Sequence, residues 1–219
     1  HGGRLRPLGR ALIELAEAST VPVSVHLDHA ESTDLCREAI ELGFTSIMYD
    51  GSKLPDAQNR ETTAEITAFA HEHGVSVEAE LGEVGGKNGV HDPSARTNPE
   101  DAAQFVADTG VDLLAVAVGS SHAMATREAV LDNQLIAAIH ELVPVPLVLH
   151  GSSGVPDDGM VAAIQAGMTK INVSTHLNVV FTQGVRQILD ENPKIVDPRK
   201  YVGPATHSVQ EEVERLMRL

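Results

Sequence analysis

Three histidines, His29, His122 and His150, each follow a short apolar run, and several carboxylates do the same. Val23 to Leu27 leads into Asp28-His29, Thr45 to Tyr49 into Asp50-Gly51-Ser52, and Val75 to Val77 into Glu78-Ala79-Glu80. Asp112 to Val118 leads through Gly119-Ser120-Ser121 to His122. Val145 to Leu149 leads into His150-Gly151-Ser152-Ser153-Gly154, and Thr169 to Ile171 into Asn172-Val173-Ser174-Thr175. One histidine behind one strand is more often a packed residue than a ligand. Three neutral imidazoles meeting at a point with a fourth position open are the arrangement of a catalytic zinc. That meeting requires strand ends far apart in sequence to lie side by side, as they do at the C-terminal rim of a parallel β/α barrel.

The elements between these runs fit such a barrel. Apolar residues recur at helical spacing in Leu5 to Ala18, Leu35 to Leu42, Asp56 to His73, Asp101 to Thr109, Asn133 to Leu142, Asp157 to Ala166 and Leu177 to Asp190. Gly43, Gly74 and Gly110 each stop a helix just ahead of a strand, the punctuation of αβ units. We expect an α/β fold: a single domain over residues 1–219, built as a TIM (β/α)8 barrel. Six strands are countable, whereas a closed barrel has eight in about 250 residues. The first one to two βα units are therefore expected to lie ahead of His1, with a six-stranded open sheet as the rival. The stretch from Leu81 to Thr97, rich in glycine and charge, has the length of a functional loop and is expected to act as a mobile lid.

The apolar content of 42% with no Trp, 4 Phe and 2 Tyr gives a core of small aliphatic side chains, suited to strands covered by helices. A single cysteine, Cys36, excludes an intrachain disulfide and favours a reducing cytoplasmic setting. No apolar stretch approaches the ~18 residues of a membrane span, and no leader is visible. The net charge of −15 opposes nucleic-acid binding, so neither nucleic acid nor membrane is expected as a partner. The same charge repels anionic substrates at long range, so a phosphorylated substrate needs strong local donors.

The segments after the last two strands carry such donors. In a full barrel, the loops behind strands seven and eight frequently bind phosphate through backbone N–H groups and a helix N-terminus. The small residues of His150-Gly151-Ser152-Ser153-Gly154 and of Asn172-Val173-Ser174-Thr175 admit close backbone approach, and their hydroxyls add donors.

The runs His26-Leu27-Asp28-His29-Ala30, Glu78-Ala79-Glu80-Leu81-Gly82, Gly119-Ser120-Ser121-His122, Leu147 to Gly154 and Lys170-Ile171-Asn172-Val173 resemble the class II, zinc-dependent ketose-bisphosphate aldolases. Asp197-Pro198-Arg199-Lys200-Tyr201 fits the same family, and the resemblance spans essentially the whole chain. It implies reversible cleavage of fructose or tagatose 1,6-bisphosphate to dihydroxyacetone phosphate and glyceraldehyde 3-phosphate. It makes His29, His122 and His150 the zinc ligands, His26 a supporting residue, and Asp28 the proton donor in the aldol direction. Asp50 and Glu80 match positions that hold a second or alternative divalent ion, and a monovalent cation is a further candidate. Gly151, Ser152, Ser153, Asn172, Val173, Ser174 and Thr175, with Ala123, would hold the three-carbon phosphate. Arg199 would bind the far phosphate, often across the interface of a homodimer or homotetramer.

The chemistry suits these residues. Breaking the C3–C4 bond of a ketose leaves a carbanion, which a Lewis-acidic metal stabilises without a Schiff-base lysine. A carboxylate such as Asp28 must move a proton at the C4 oxygen. In one respect the chain departs from the family. An acidic residue is usual seven or eight positions after the Glu80 equivalent, where Lys87 and Asn88 stand here; Glu83 and Asp92 are the candidates to replace it. A zinc hydrolase on the same barrel and a non-catalytic aldolase-like subunit are the competing readings. The cluster Glu211, Glu212 and Glu214 with Arg215 and Arg218 reads as an exposed, charge-paired final helix.

Overall fold

A computed structural model describes residues 4–81, 96–122, 124 and 126–219. Lys87, Asn88, Glu83 and Asp92, the glycines of the expected lid, and Ala123 lie outside the described residues.

Helices and strands alternate. The strands are β1 (His26–Ala30), β2 (Ser46–Tyr49), β3 (Ser76–Leu81), β4 (Leu113–Val116), β5 (Leu147–Leu149) and β6 (Met168–Ile171). The helices are α1 (Leu5–Glu17), α2 (Thr33–Leu42), α3 (Asp56–Glu72), α4 (Pro99–Thr109), α5 (Asn133–Leu142), α6 (Asp157–Ala166), α7 (Thr175–Glu191) and α8 (Arg199–Leu216). Local chemistry sets many of these ends. The side chains of Ser32, Asn98 and Asp132 accept the N–H groups of Leu35, Asp101 and Leu135, capping α2, α4 and α5. Gly43 and Gly110 close α2 and α4 in the left-handed conformation, at φ +108° and +67°, where a side chain would be strained.

The six strands form one parallel sheet in chain order. In a flat sheet with a strand spacing of about 4.8 Å, β1 and β6 would stand roughly 24 Å apart. Yet Asn172, just past β6, donates to Asp28 on β1 at 3.4 Å. The sheet therefore curls until its first and last strands face each other across the rim, as a barrel wall does.

The two faces of the wall differ. On β3, Val77, Ala79 and Leu81 join the apolar core with Ile47, Leu114, Leu147 and Leu149, beneath Ile66, Phe105, Ile136 and Ile139 from the helices. Glu78 and Glu80 alternate onto the concave face, fully buried, in line with Met48 and Ala115 of the neighbouring strands. Two strands lie further along the chain than their apolar runs suggest. β1 starts at His26 rather than Val23, and β3 runs on to Leu81, so His29, Glu78 and Glu80 lie within strands instead of after them. A charged residue on a buried strand is stable only when paired, and the concave face supplies the partners.

Candidate metal centre and active site

His29 sits on β1 at a break in register with β2, between Leu27 and Ala30. Among the described residues it is the non-glycine residue with positive φ, +49°. Alternation along a regular strand would send Asp28 and His29 to opposite faces. The irregularity instead leaves both at the rim, lining one cleft with His122, His150, Gly151, Ser153, Asn172, Ser174 and Thr175. A strained backbone retained at such a place is characteristic of functional sites.

The three imidazoles meet there. Ring centroids are 4.5 Å apart for His29 and His150, 5.1 Å for His29 and His122, and 5.7 Å for His122 and His150. One ring nitrogen from each lies within 4.8 Å of the others, and His29, Asp50 and Glu80 form a second such group. Supporting bonds aim the rings. His29 Nδ1 is 2.7 Å from Asp50 Oδ2, which turns Nε2 toward the centre. Asp50 in turn accepts the Ser52 hydroxyl at 2.6 Å and its N–H at 3.2 Å.

His150 is fully buried, and its Nε2 lies 2.9 Å from Glu78 Oε1. Its Nδ1 makes no hydrogen bond and has Glu80 Oε2 at 3.4 Å. A buried ring nitrogen facing a carboxylate and two further imidazoles fits a divalent ion, which would take the place of the proton on that nitrogen. Burial would lower the His150 imidazole, but the carboxylates of Glu78 and Glu80 outweigh it and raise it to about 9. Burial would likewise raise Glu78, yet His150 and Lys170, whose Nζ is 2.7 Å from Oε2, hold it at about 2. His26 stays beneath the site, its Nδ1 2.8 Å from Ser46 Oγ and its Nε2 3.8 Å from Glu78.

The glycine-rich segments complete the cleft, which measures about 200 Å³. Gly151 is left-handed at φ +65°, and a Cβ there would lie 2.6 Å from the Ser121 backbone. Only glycine therefore lets this segment pass against the one carrying His122. Ser152 to Gly154 form a 3-10 turn. The Ser152 hydroxyl bonds to the Asn172 carbonyl, and Ser153 Oγ accepts N–H groups from Ser174 at 3.3 Å and His176 at 3.1 Å. Val173 turns away, into a larger aliphatic cavity of about 510 Å³ between β6, α6, α7 and α8. Arg199 is not at this cleft. It opens α8, its side chain 88% exposed and paired with Asp197 at 2.8 Å.

The sequence and the fold both have counterparts among known proteins. The family model for class-II fructose-bisphosphate aldolase matches residues 1–219. Fructose-bisphosphate aldolases of Staphylococcus epidermidis and Geobacillus stearothermophilus are each 41% identical over 201 residues, 91% of this chain and 70% of theirs.

The chain belongs to the class-II fructose-bisphosphate aldolase family.

It is thus an aldolase, a lyase by reaction type. The YdjI aldolase of Escherichia coli K12 superposes with a TM-score of 0.76 at 31% identity, over 96% of this chain and 74% of that one. At the level of fold alone, a fructose-bisphosphate aldolase of Campylobacter jejuni superposes with a TM-score of 0.78 at 22% identity, over 97% and 74%. These matches leave the barrel-hydrolase alternative without support.

Sequence reasoning passed over two aldolase-site neighbours, Glu78 and Lys170, although Glu-Ala-Glu on an otherwise apolar strand was a usable signal. Two carboxylates two residues apart on a strand share a face, so Glu78 had to sit beside Glu80. His176 and Glu212 had no comparable signal, since their 2.6 Å contact joins helices 36 residues apart.

Proposed function

We propose that this chain is a zinc-dependent aldolase that splits a ketose 1,6-bisphosphate of the fructose or tagatose type between C3 and C4. The products are dihydroxyacetone phosphate and glyceraldehyde 3-phosphate. The reading rests on one observation: three imidazoles, an exposed aspartate and the segments following β5 and β6 line a single cleft. His29, His122 and His150 would hold the zinc, and His29, Asp50 and Glu80 offer a position for a second divalent ion or for the first ion in another state. When bound, zinc supplies a Lewis acid that polarises the substrate carbonyl and takes up the charge of the carbanion. Asp28 accepts the C4 hydroxyl proton in cleavage and returns it in the aldol direction, and Asn172 Nδ2 orients its carboxylate. Gly151 and Ser153, with Asn172, Ser174 and Thr175, hold the phosphate of the three-carbon half through N–H groups and hydroxyls, while buried Ser152, its hydroxyl on the Asn172 carbonyl, ties the two segments together.

The decisive experiment is a coupled cleavage assay with fructose and tagatose 1,6-bisphosphates, before and after chelation and zinc restoration. Activity lost on chelation and regained with zinc supports the reading; cleavage indifferent to chelation sinks it. The sequential parallel sheet, curled at the rim, is consistent with a complete eight-stranded barrel in which two further strands stand between β6 and β1. Arg199, exposed and outside the lining of its own cleft, suits a role in a neighbouring subunit's site, so we infer a homodimer or homotetramer, testable by light scattering. Buried free Cys36 suits a cytoplasmic setting, and no described helix is long and apolar enough to cross a membrane.

A further inference from the structure

The final helix does more than cover the barrel. Glu212 on α8 turns inward, its side chain 16% exposed, and its Oε1 lies 2.6 Å from Nε2 of His176 in the first turn of α7. This corrects the expectation of a wholly exposed, charge-paired final helix. The backbone N–H of the same His176 donates to Ser153 Oγ, which lines the cleft. Arg215, one turn on from Glu212, donates to both Glu212 oxygens at 2.7 and 2.8 Å and reaches Asp157 Oδ2 at 2.6 Å. Asp157 opens α6 and also receives Arg127 at 2.5 Å. Arg127 donates to the Val155 carbonyl, directly after the 3-10 turn that contains Ser153, at 2.8 and 3.0 Å. The contacts close into a ring: α8, the start of α7, Ser153, Val155, Arg127, Asp157 and back to α8.

We propose that His176 and Glu212 are positioning residues, a clamp by which the C-terminal helix holds Ser153 and the first turn of α7 in register for the substrate phosphate. The proposal rests on the reading of these segments as the phosphate cradle. Three features favour a functional brace over an ordinary surface ion pair, which contributes little because solvent screens it. His176 and Glu212 are largely buried, at 20% and 16% side-chain exposure. The Arg215 contact is two-pronged, which fixes orientation as well as distance. The ring also matches its two carboxylates with two guanidiniums, so it adds no net negative charge beside an incoming phosphate in a chain of net charge −15. None of the ring's side chains is among the candidate metal ligands, so its loss should leave metal content alone.

The test compares wild type with His176→Ala, His176→Gln and Glu212→Gln, each zinc-loaded. It measures kcat and KM for the ketose bisphosphate and, by calorimetry, affinity for dihydroxyacetone phosphate and for inorganic phosphate. His176→Ala and Glu212→Gln should raise KM and weaken both ligands by about tenfold, the size of one lost charge-assisted hydrogen bond. Here kcat should stay within about threefold, the signature of lost uniform binding, and zinc content should not change. His176→Gln keeps a side-chain donor toward Glu212 and should recover most of the affinity. Should His176→Ala fail to fold, the other two variants carry the same comparison. Variants that melt earlier yet keep wild-type KM and phosphate affinity overturn the clamp and leave a structural tie. If wild type binds phosphate but cleaves no ketose bisphosphate, the aldolase reading fails while the clamp is still decided by affinity. If wild type binds neither ligand, both are overturned.

Discussion

His29 and Asp28 show how much depends on a single backbone residue. Because His29 departs from extended geometry, two successive side chains reach the same rim, one suited to a metal and one to a proton. Asp28→Ala should lower kcat by roughly 10²–10⁴-fold, the range for losing a positioned acid–base group, with zinc content nearly unchanged. Metal analysis beside the cleavage assay checks this: zinc lost together with activity would make Asp28 a support for His29 rather than the proton carrier. Gly151 is as constrained, since any side chain there meets the Ser121 backbone and must also bear a left-handed φ. Gly151→Ala should cost about 1–3 kcal/mol of stability in urea unfolding and reduce activity more than tenfold, because the residue before it is His150. Wild-type behaviour would mean that the two rim segments can separate at little cost.

At the scale of elements, α7 and α8 pack as a close helical pair. A Cβ on Gly184 would lie 3.3 Å from Ala205, so a small residue at 184 permits this approach. Their cleft-side end carries the charged contacts of Glu212, whose carboxyl is held at about 2 chiefly by Arg215 and then by His176. The ordinary value is 4.5. With the folded state lowered, the unfolded chain takes up the proton first as acid is added. The stabilisation from this group is complete above about pH 4.5 and is lost as the pH falls toward 2. Hydrogen exchange should accordingly show α8 loosening across that window, and Glu212→Gln should flatten the dependence. An α8 equally protected at pH 5 and pH 3 would contradict it.

Across the whole molecule, the curled sheet converts six separate strand ends into one site, and bound metal should in turn stabilise the curl. An ion that binds only the folded state adds RT ln(1 + [L]/Kd), about 4 kcal/mol at a thousandfold excess over Kd. Protein stripped by a chelator should therefore melt several degrees lower and recover with zinc; an unchanged melting temperature would argue against a folded-state metal site. The charge of −15 acts at the same scale. It opposes a phosphorylated substrate until screened, and the Debye length falls from about 30 Å at 0.01 M salt to about 10 Å at 0.1 M. Raising salt across that range should increase kcat/KM, whereas a fall would mean that local positive groups dominate the approach.

The sequence by itself determined the alternation of strands and helices. That pattern is written in local chemistry: aliphatic runs, amphipathic spacing, caps such as Ser32 and Asn98, and stops such as Gly43 and Gly110. It also determined which residue types close each strand, so histidines, carboxylates and small donors could be read off in order. What only the tertiary structure decided is which of them meet. The break in register that turns His29 depends on pairing with β2, and no residue type announces it, because histidine rarely adopts φ +49°. Whether Asn172 reaches Asp28 depends on the curvature of the entire sheet, a sum over five strand pairings. Glu212 read as exposed because its local neighbours form a charged helix face, while its decisive partner, His176, belongs to another helix. Local propensity is encoded residue by residue, but register, curl and docking follow from contacts between distant segments, and these set the geometry of the cleft.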